Sequence, residues 1–413
     1  MATETTSDTR LIPLFRRGRW YESLDAQEVP GRAGWRLSLA PAVMAKGDAA
    51  HSQRSAAGRA ALPLDARGHV LAAAMELFAT GEVQLGPLGT QSATDFHEQL
   101  RATVGLPTPL TDRWTAMLRQ QLDEATAAAT GGAGPAATYR RTLVALPANT
   151  FTCLAAVIQA VLDSEEVWIR PSRREPISAL RFAAALLQAG WPSDRLGFYP
   201  TAPDVLPALI DLTDRQVVFG GDQISERLSG LADLDLRGPG RGLALVPAGA
   251  DPRERADWLL PLLAADSGRF CKNVCTVLCE DDPEPLAREL AARLDAIRLD
   301  PADPALPQAA QVDPAHARAL ARSIEERLSP ADRVLTSRPL VHEGEHGTFL
   351  APALVLLDDP GSPDRPHPLL AYEVPFPFAS ICRTDPALTA TTHDGSLFVY
   401  RMPDPAPAPG GAA

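Results

Sequence analysis

The sequence predicts an α/β protein: a Rossmann-type parallel-sheet domain followed by a smaller α/β domain that carries a cysteine. Three observations predict it. Strand-like apolar runs alternate with helical spacing five times between residues 142 and 263. A less regular mixture of strand and helix signals continues to about residue 400. Between them, Ala264-Ala265-Asp266-Ser267-Gly268-Arg269-Phe270-Cys271-Lys272-Asn273 leads from a helix through a glycine-bearing turn to a cysteine. The β-rich run Val274-Cys275-Thr276-Val277-Leu278 follows.

Bulk properties bound the function. The chain has 413 residues, 45% hydrophobic and 22% charged, as expected for a globular protein of two or three domains. Its net charge of -12 argues against a nucleic-acid or anionic-membrane partner. No apolar run reaches the roughly 18 residues that span a bilayer. Residues 1–19 carry charges with no apolar segment after them, unlike a secretory signal. The odd count of five cysteines argues for a reducing compartment and a cytoplasmic location.

Residues 1–65 read as irregular structure with a few strands, anchored by Trp20, Tyr21 and Trp35. Helical spacing predicts helices at 65–80, 93–104 and 110–128, and the break at Gly131-Gly132-Ala133-Gly134-Pro135 is the expected boundary. Strands at 142–146, 166–170, 196–199, 216–219 and 242–246 then alternate with helices at 151–162, 176–189, 205–212, 223–231 and 253–263, with Asp222 capping the fourth. Five such units imply one parallel sheet with ligands at its C-terminal edge. The second half predicts strands at 273–278, 334–335, 349–356, 376–382 and 396–400 and helices at 283–297 and 314–328. The expected domains are residues 1–134, an N-terminal segment; 135–247, dinucleotide-binding; 248–402, catalytic; and 403–413, a disordered Pro/Ala/Gly tail.

Several motifs have a bland reading beside a chemical one. Cys271 at the mouth of its turn lies near backbone N–H groups and Lys272, which favours thiolate; the bland reading is a small buried apolar side chain. Gly238-Pro239-Gly240-Arg241-Gly242 is glycine-rich but precedes a strand, so it reads as a tight connection. His342-Glu343-Gly344-Glu345-His346 matches H-E-x-x-H, yet Gly344 and the flanking Pro339 and Gly347 oppose the helix that zinc chemistry needs, and no metal is expected. Cys271, Cys275 and Cys279 lack a nearby fourth ligand, so their spacing reads as fortuitous. Asn149, where a strand ends and a helix begins, is either a cap or an amide placed to donate to an oxyanion. Arg170, Arg173 and Arg174 at a strand end are either a solvated cluster or an anion site.

In this order the segments resemble the aldehyde dehydrogenase superfamily over about residues 65–400. Leu146-Pro147-Ala148-Asn149-Thr150-Phe151 is similar to that family's P-W-N-F-P segment, which implies that Asn149 is the oxyanion amide. Ile169-Arg170-Pro171-Ser172 is similar to its ribose-holding K-P-S segment. Phe219-Gly220-Gly221-Asp222 stands at its F-T-G-S. Gly268-Arg269-Phe270-Cys271 resembles G-Q-x-C and implies the nucleophile at Cys271. Gly347-Thr348-Phe349-Leu350-Ala351-Pro352 resembles G-x-F-x-x-P-T. Tyr372-Glu373-Val374-Pro375-Phe376-Pro377 resembles the segment whose Glu binds the nicotinamide ribose. The implied cofactor residues are Arg170, Ser172, Arg173, Gly220, Gly221, Asp222 and Glu373.

The departures select a branch. Hydrolytic members carry a Glu where Leu236-Arg237-Gly238-Pro239-Gly240 has Arg237, so release of a thioacyl group by water should be slow. With the Gly220-Gly221-Asp222 variant, this most resembles the acyl-CoA reductases of bacterial luminescence. It implies NADPH-dependent reduction of an acyl thioester or acyl-adenylate to an aldehyde, with an acyl-activating enzyme or carrier protein as partner. Arg170 and Arg173 favour NADPH, with NADH the second choice; Asp222 opposes a diphosphate. The chain stops early after Pro377 for this family, which implies the loss of a strand used in oligomerisation. The competing expectations are a weak or inactive homologue with a partner role, a hydrolytic aldehyde dehydrogenase, and a zinc hydrolase.

Overall fold

The computed structural model describes residues 9–55, 60, 62–130, 138–228, 234–249, 251–299, 308–344, 347–384 and 386–403. The glycine-rich break at 131–135 and residues 404–413 lie outside them. The chain divides into two compact units, Met1–Gly238 and Pro239–Ala413. The architecture is the expected one, a Rossmann-type α/β unit followed by a smaller α/β unit with the cysteine.

In the first unit a seven-stranded sheet runs Asp235–Arg237, Arg215–Phe219, Tyr139–Ala145, Ser164–Arg170, Leu196–Phe198, Leu14–Arg16, Arg19–Tyr21. The first five strands are parallel, and an N-terminal hairpin adds the last two antiparallel. The parallel strands are apolar on both faces: Leu143, Val144, Val167, Trp168 and Ile169 are all buried. The helices expected at 65–80, 93–104 and 110–128 form as Leu64–Thr80, Ala93–Val104 and Thr108–Thr130. Ser92 and Asp95 make a capping box at the start of the second, and Gly105, at φ 65°, ends it in the left-handed conformation. The end of Leu64–Thr80 is closed from outside: the buried Arg181 donates to the carbonyls of Leu77, Phe78 and Gly81.

Two expectations change here. Residues 1–65 contain a full helix, Ala42–Ser55, whose buried face is Ala45, Asp48, Ala49 and Ser52. Asp48 lies inside because Arg16, Arg17 and the Tyr199 hydroxyl all donate to its carboxylate. The fifth strand also changes sheets. Gly242–Val246 pairs with Val274–Cys279 in the second unit, and Asp235–Arg237 closes the first sheet instead.

The second unit is built on a six-stranded sheet in the order Arg333–Val334, Ala353–Leu356, Phe378–Arg383, Val274–Cys279, Gly242–Val246, Val399–Arg401. All neighbours are parallel except the two-residue edge strand Arg333–Val334. Alternate residues serve opposite faces. Val277 and Cys279 pack with helices Pro252–Ala264 and Glu284–Asp295, whereas Leu278 packs with helix Pro314–Glu325. The run expected as one strand at 349–356 breaks at Ala351-Pro352 into Gly347–Leu350 and Ala353–Leu356. Proline has no N–H for a sheet ladder, which suits the break. His342 and Glu343 lie on strand Val341–Gly344 and not on a helix, and Glu343 is ion-paired to Arg318 at 2.6 Å; residues 345 and 346 lie outside the described residues. Among the described residues no helix is long and apolar enough to cross a membrane.

Candidate active site

The turn that carries Cys271 starts where helix Pro252–Ala264 ends. Asp266, Ser267 and Gly268 follow at φ 55°, 57° and 64°, three left-handed residues in succession. The conformation is unfavourable for the first two, at about 1–3 kcal/mol each. It is over-determined by its surroundings. Ser267 Oγ accepts from the Ala309 N–H at 2.8 Å. A Cβ on Gly268 would lie 2.4 Å from the Phe376 carbonyl carbon and the Pro377 nitrogen, so only glycine fits.

Asn273 locks the other side. Its amide donates to the carbonyls of Leu262, Leu263 and Ala265 at 3.1, 3.3 and 3.0 Å, so it closes the end of the preceding helix. Its Oδ1 accepts from the Phe270 N–H at 2.9 Å. Between these fixed points Cys271 and Lys272 are exposed while Phe270 and Asn273 are buried. The neighbouring Arg269 is buried, donates to the Ala310 carbonyl at 3.0 Å, and burial lowers its pKa to about 10.

The balance at the thiol differs from the expected one. Burial of its base, and then the Glu373 carboxylate, push the Cys271 thiol above its usual value. The N–H groups of Cys271 and Lys272 and the Lys272 charge act the other way but do not prevail. Tyr400, on the last strand, donates to the Lys272 carbonyl at 2.9 Å; burial and the Cys271 charge push its phenol up. Glu373 Oε2 accepts from the N–H groups of Gly240 and Arg241 at 2.7 and 3.1 Å. The glycine-rich connection therefore binds a carboxylate of this chain itself.

The cofactor candidates of the first unit collect at two strand ends. Arg170 ends Ser164–Arg170 and donates to Thr201 Oγ1 at 2.8 Å; burial, then Arg173, lower its pKa to about 10. Arg173 donates to Gln27 Oε1 at 3.1 Å, and Ser172 Oγ accepts from the Arg174 N–H at 3.2 Å. Gly220 and Gly221 follow Arg215–Phe219, and a side chain at Gly221 would meet nothing within 4 Å. Asp222 is the first residue of helix Asp222–Leu228, not its cap: the Gly221 carbonyl accepts from Ile224 and Ser225. The desolvated Arg170, the half-buried Arg173 and a bare glycine turn at a parallel sheet's C-terminal edge fit an anionic dinucleotide, while the exposed Asp222 opposes its diphosphate. Asn149 lies half-buried in the turn after Tyr139–Ala145, where Thr150 Oγ1, rather than Asn149, accepts from the Thr152 N–H. Arg237 is exposed, 3.1 Å from Asp235 and 5.4 Å over the Phe219 ring, so no carboxylate replaces the absent Glu at that position.

Asn273 and the Gly240–Arg241 pair were not read as functional. An Asn between a reactive turn and a strand is a usable signal for the first. The second had none, because its partner Glu373 is remote in sequence.

The profile of the aldehyde dehydrogenase family matches residues 48–365. No curated protein matches in sequence. Among solved structures, an NAD-dependent benzaldehyde dehydrogenase from Corynebacterium glutamicum superposes with a TM-score of 0.76 at 16% identity, covering 97% of this chain and 91% of that one. A methylmalonate-semialdehyde dehydrogenase from Oceanimonas doudoroffii gives 0.76 at 16% identity, covering 96% and 86%. A 1-pyrroline-5-carboxylate dehydrogenase from Thermus with bound NAD gives 0.72 at 15%, covering 94% and 79%.

These neighbours correct the expected branch. They are aldehyde dehydrogenases and not acyl-CoA reductases, so the reductase likeness and NADPH-dependent thioester reduction are withdrawn. The physical reason is that Cys271 and a hydride carrier serve either direction, and a missing base does not choose between them. The preference for NADPH falls too. Where a cofactor is named for these neighbours it is NAD, and each arginine already spends a donor on Thr201 or Gln27, so neither marks a preference for a 2′-phosphate.

Proposed function

The chain belongs to the aldehyde dehydrogenase family of NAD(P)-dependent oxidoreductases, and we propose that it oxidises an aldehyde with NAD+ through Cys271. The observation that carries this reading is an exposed cysteine on a turn fixed from both sides, at Gly268 by the Phe376–Pro377 backbone and at Asn273 by its hydrogen bonds. The Cys271 thiolate adds to the aldehyde carbon; a C–S bond forms and the carbonyl π pair moves to oxygen. The N–H groups of Cys271 and Lys272, which already stabilise charge on the sulfur, are placed to stabilise the adjacent oxyanion. A bound nicotinamide supplies the two-electron acceptor that takes this adduct to the thioester level. Arg170, Ser172 and Arg173 with the Gly220–Gly221 turn would hold the dinucleotide. Water then cleaves the thioester, releasing the carboxylic acid and the thiol. With Arg237 where hydrolytic relatives carry a Glu, that last step is slow.

We also propose a cytoplasmic location, since none of the five cysteines is in a disulfide. Stopped-flow fluorescence with NAD+ and a panel of aromatic and aliphatic aldehydes tests the reaction. The reading requires an NADH burst stoichiometric with enzyme, then a slower steady state, both absent in Cys271→Ala. Folded protein that yields no NADH from any member contradicts it and supports a homologue of negligible activity.

A further inference from the structure

We infer that Glu373 is a positioning residue for Cys271: its carboxylate fills a backbone nest on the Gly240–Arg241 connection, and that connection fixes the Cys271 turn by direct contact. The inference rests on Cys271 being the nucleophile.

The contacts close a ring. Arg241 is left-handed at φ 47°, and its N–H and that of Gly240 converge on one oxygen, Glu373 Oε2, at 3.1 and 2.7 Å. Gly240 abuts the nucleophile: a Cβ there would lie 1.9 Å from the Cys271 carbonyl oxygen and 2.9 Å from the Cys271 Cβ. The Gly240 carbonyl accepts from the Leu397 N–H at 2.9 Å, so the loop is held at its acceptor as well as its donor. The segment bearing Glu373 is itself anchored. The Ala371 N–H donates to Thr276 Oγ1 at 2.8 Å, and Ser380 Oγ donates to the Leu369 carbonyl at 3.0 Å. Further along, Phe376 and Pro377 press on Gly268 at the start of the turn. The Cys271 turn is thus gripped at Gly268 by the backbone of this segment and at Cys271 by the loop that Glu373 holds.

An anion in a nest of two N–H groups is replaceable in kind. A glutamine offers the same acceptor oxygen without charge; an alanine leaves the nest empty, and a small carboxylate supplied from solution can refill it.

The test compares wild type, Glu373→Gln and Glu373→Ala by the rate of Cys271 alkylation with iodoacetamide across pH, read by intact mass. Lys272 and Tyr400, the other titratable groups acting on the sulfur, stay unchanged. The readout needs neither aldehyde nor cofactor, so a failed clamp and a failed oxidation reaction are told apart. The expected result for Glu373→Gln is a profile moved to lower pH, since the Glu373 charge is one of the two causes that raise the thiol, with the wild-type limiting rate. Glu373→Ala changes the limiting rate itself, and formate restores it. If aldehyde turnover is present, Glu373→Ala loses about ten- to a hundredfold in kcat, as a misplaced reactive group does. Two results overturn the inference: a folded Glu373→Ala protein with the wild-type limiting rate, or a limiting rate in Glu373→Gln that differs from wild type. Should Glu373→Ala not fold, Glu373→Ser, which also withdraws the acceptor from the nest, takes its place with the same expected and overturning limiting rates.

Discussion

Asn273 and Phe270 hold each other across the reactive turn: Asn273 Oδ1 accepts from the Phe270 N–H, and the Asn273 N–H donates to the Phe270 carbonyl, both at 2.9 Å. Cys271 and Lys272 are the two residues enclosed. The same Asn273 side chain donates to three carbonyls at the end of helix Pro252–Ala264, so one buried amide registers helix, turn and strand together.

Asn273→Ala strands those buried groups. A loss of about 1–3 kcal/mol is expected for leaving them without partners. Thermal denaturation checks it, at about 2–4 °C per kcal/mol for a unit of this size. Asn273→Asp keeps the acceptor for Phe270 but turns a carboxylate toward three carbonyls, so it should rescue little.

Gly240→Ala tests close packing without touching charge. The added methyl overlaps the Cys271 carbonyl, so loop or turn must move, at about 1–3 kcal/mol of overpacking. NADH formation should fall more than melting temperature, because the displaced backbone carries Cys271, the proposed nucleophile. Equal activity in the two proteins would show that the turn tolerates displacement.

Thiol chemistry should rank the cysteines. Cys275 and Cys382 are buried and pushed up to about 12, and Cys279 is buried and pushed up further. Only Cys271 is exposed, and Cys153 is intermediate. Limited iodoacetamide at moderately alkaline pH should label Cys271 first. Because burial and Glu373 raise its thiol, the thiolate population grows only as pH passes above the ordinary thiol value of about 8.5, and labelling accelerates over that range. Peptide mapping of singly labelled protein checks both points.

Tyr400→Phe removes one hydrogen bond, to the Lys272 carbonyl. It should cost about 0.5–1.5 kcal/mol and leave Cys271 reactive. Denaturant titration reads the first and alkylation the second.

How much of this was legible in the sequence depends on whether the signal was local. Strands such as Tyr139–Ala145 and Val274–Cys279 read clearly because parallel strands buried on both faces carry apolar runs, Leu143-Val144-Ala145 in the first and all but Thr276 in the second. Helix Ala93–Val104 read to the residue from its helical spacing, and the structure closes its ends chemically with Ser92 and Gly105. Helix Ala42–Ser55 did not, since its buried face is alanine, aspartate and serine rather than a leucine stripe. The sheet to which Gly242–Val246 belongs did not either, because apolar periodicity carries no record of strand partners. The exposed cysteine turn was legible in the sequence, because the glycine and the β-rich run that frame Cys271 are its immediate neighbours. The raised thiol and the grip of Glu373 on Gly240 were not, for both depend on residues more than a hundred positions apart meeting in space.

The central claim is that an aldehyde is oxidised on the Cys271 sulfur. The most direct test is intact-protein mass spectrometry of wild type and Cys271→Ala after rapid quenching from a mixture with NAD+ and an aldehyde. The account predicts a mass gain equal to the aldehyde less two hydrogens, mapping to Cys271, absent in the variant and absent without NAD+. An NADH signal with no such adduct while deacylation is slow, or an adduct that persists in Cys271→Ala, would contradict it.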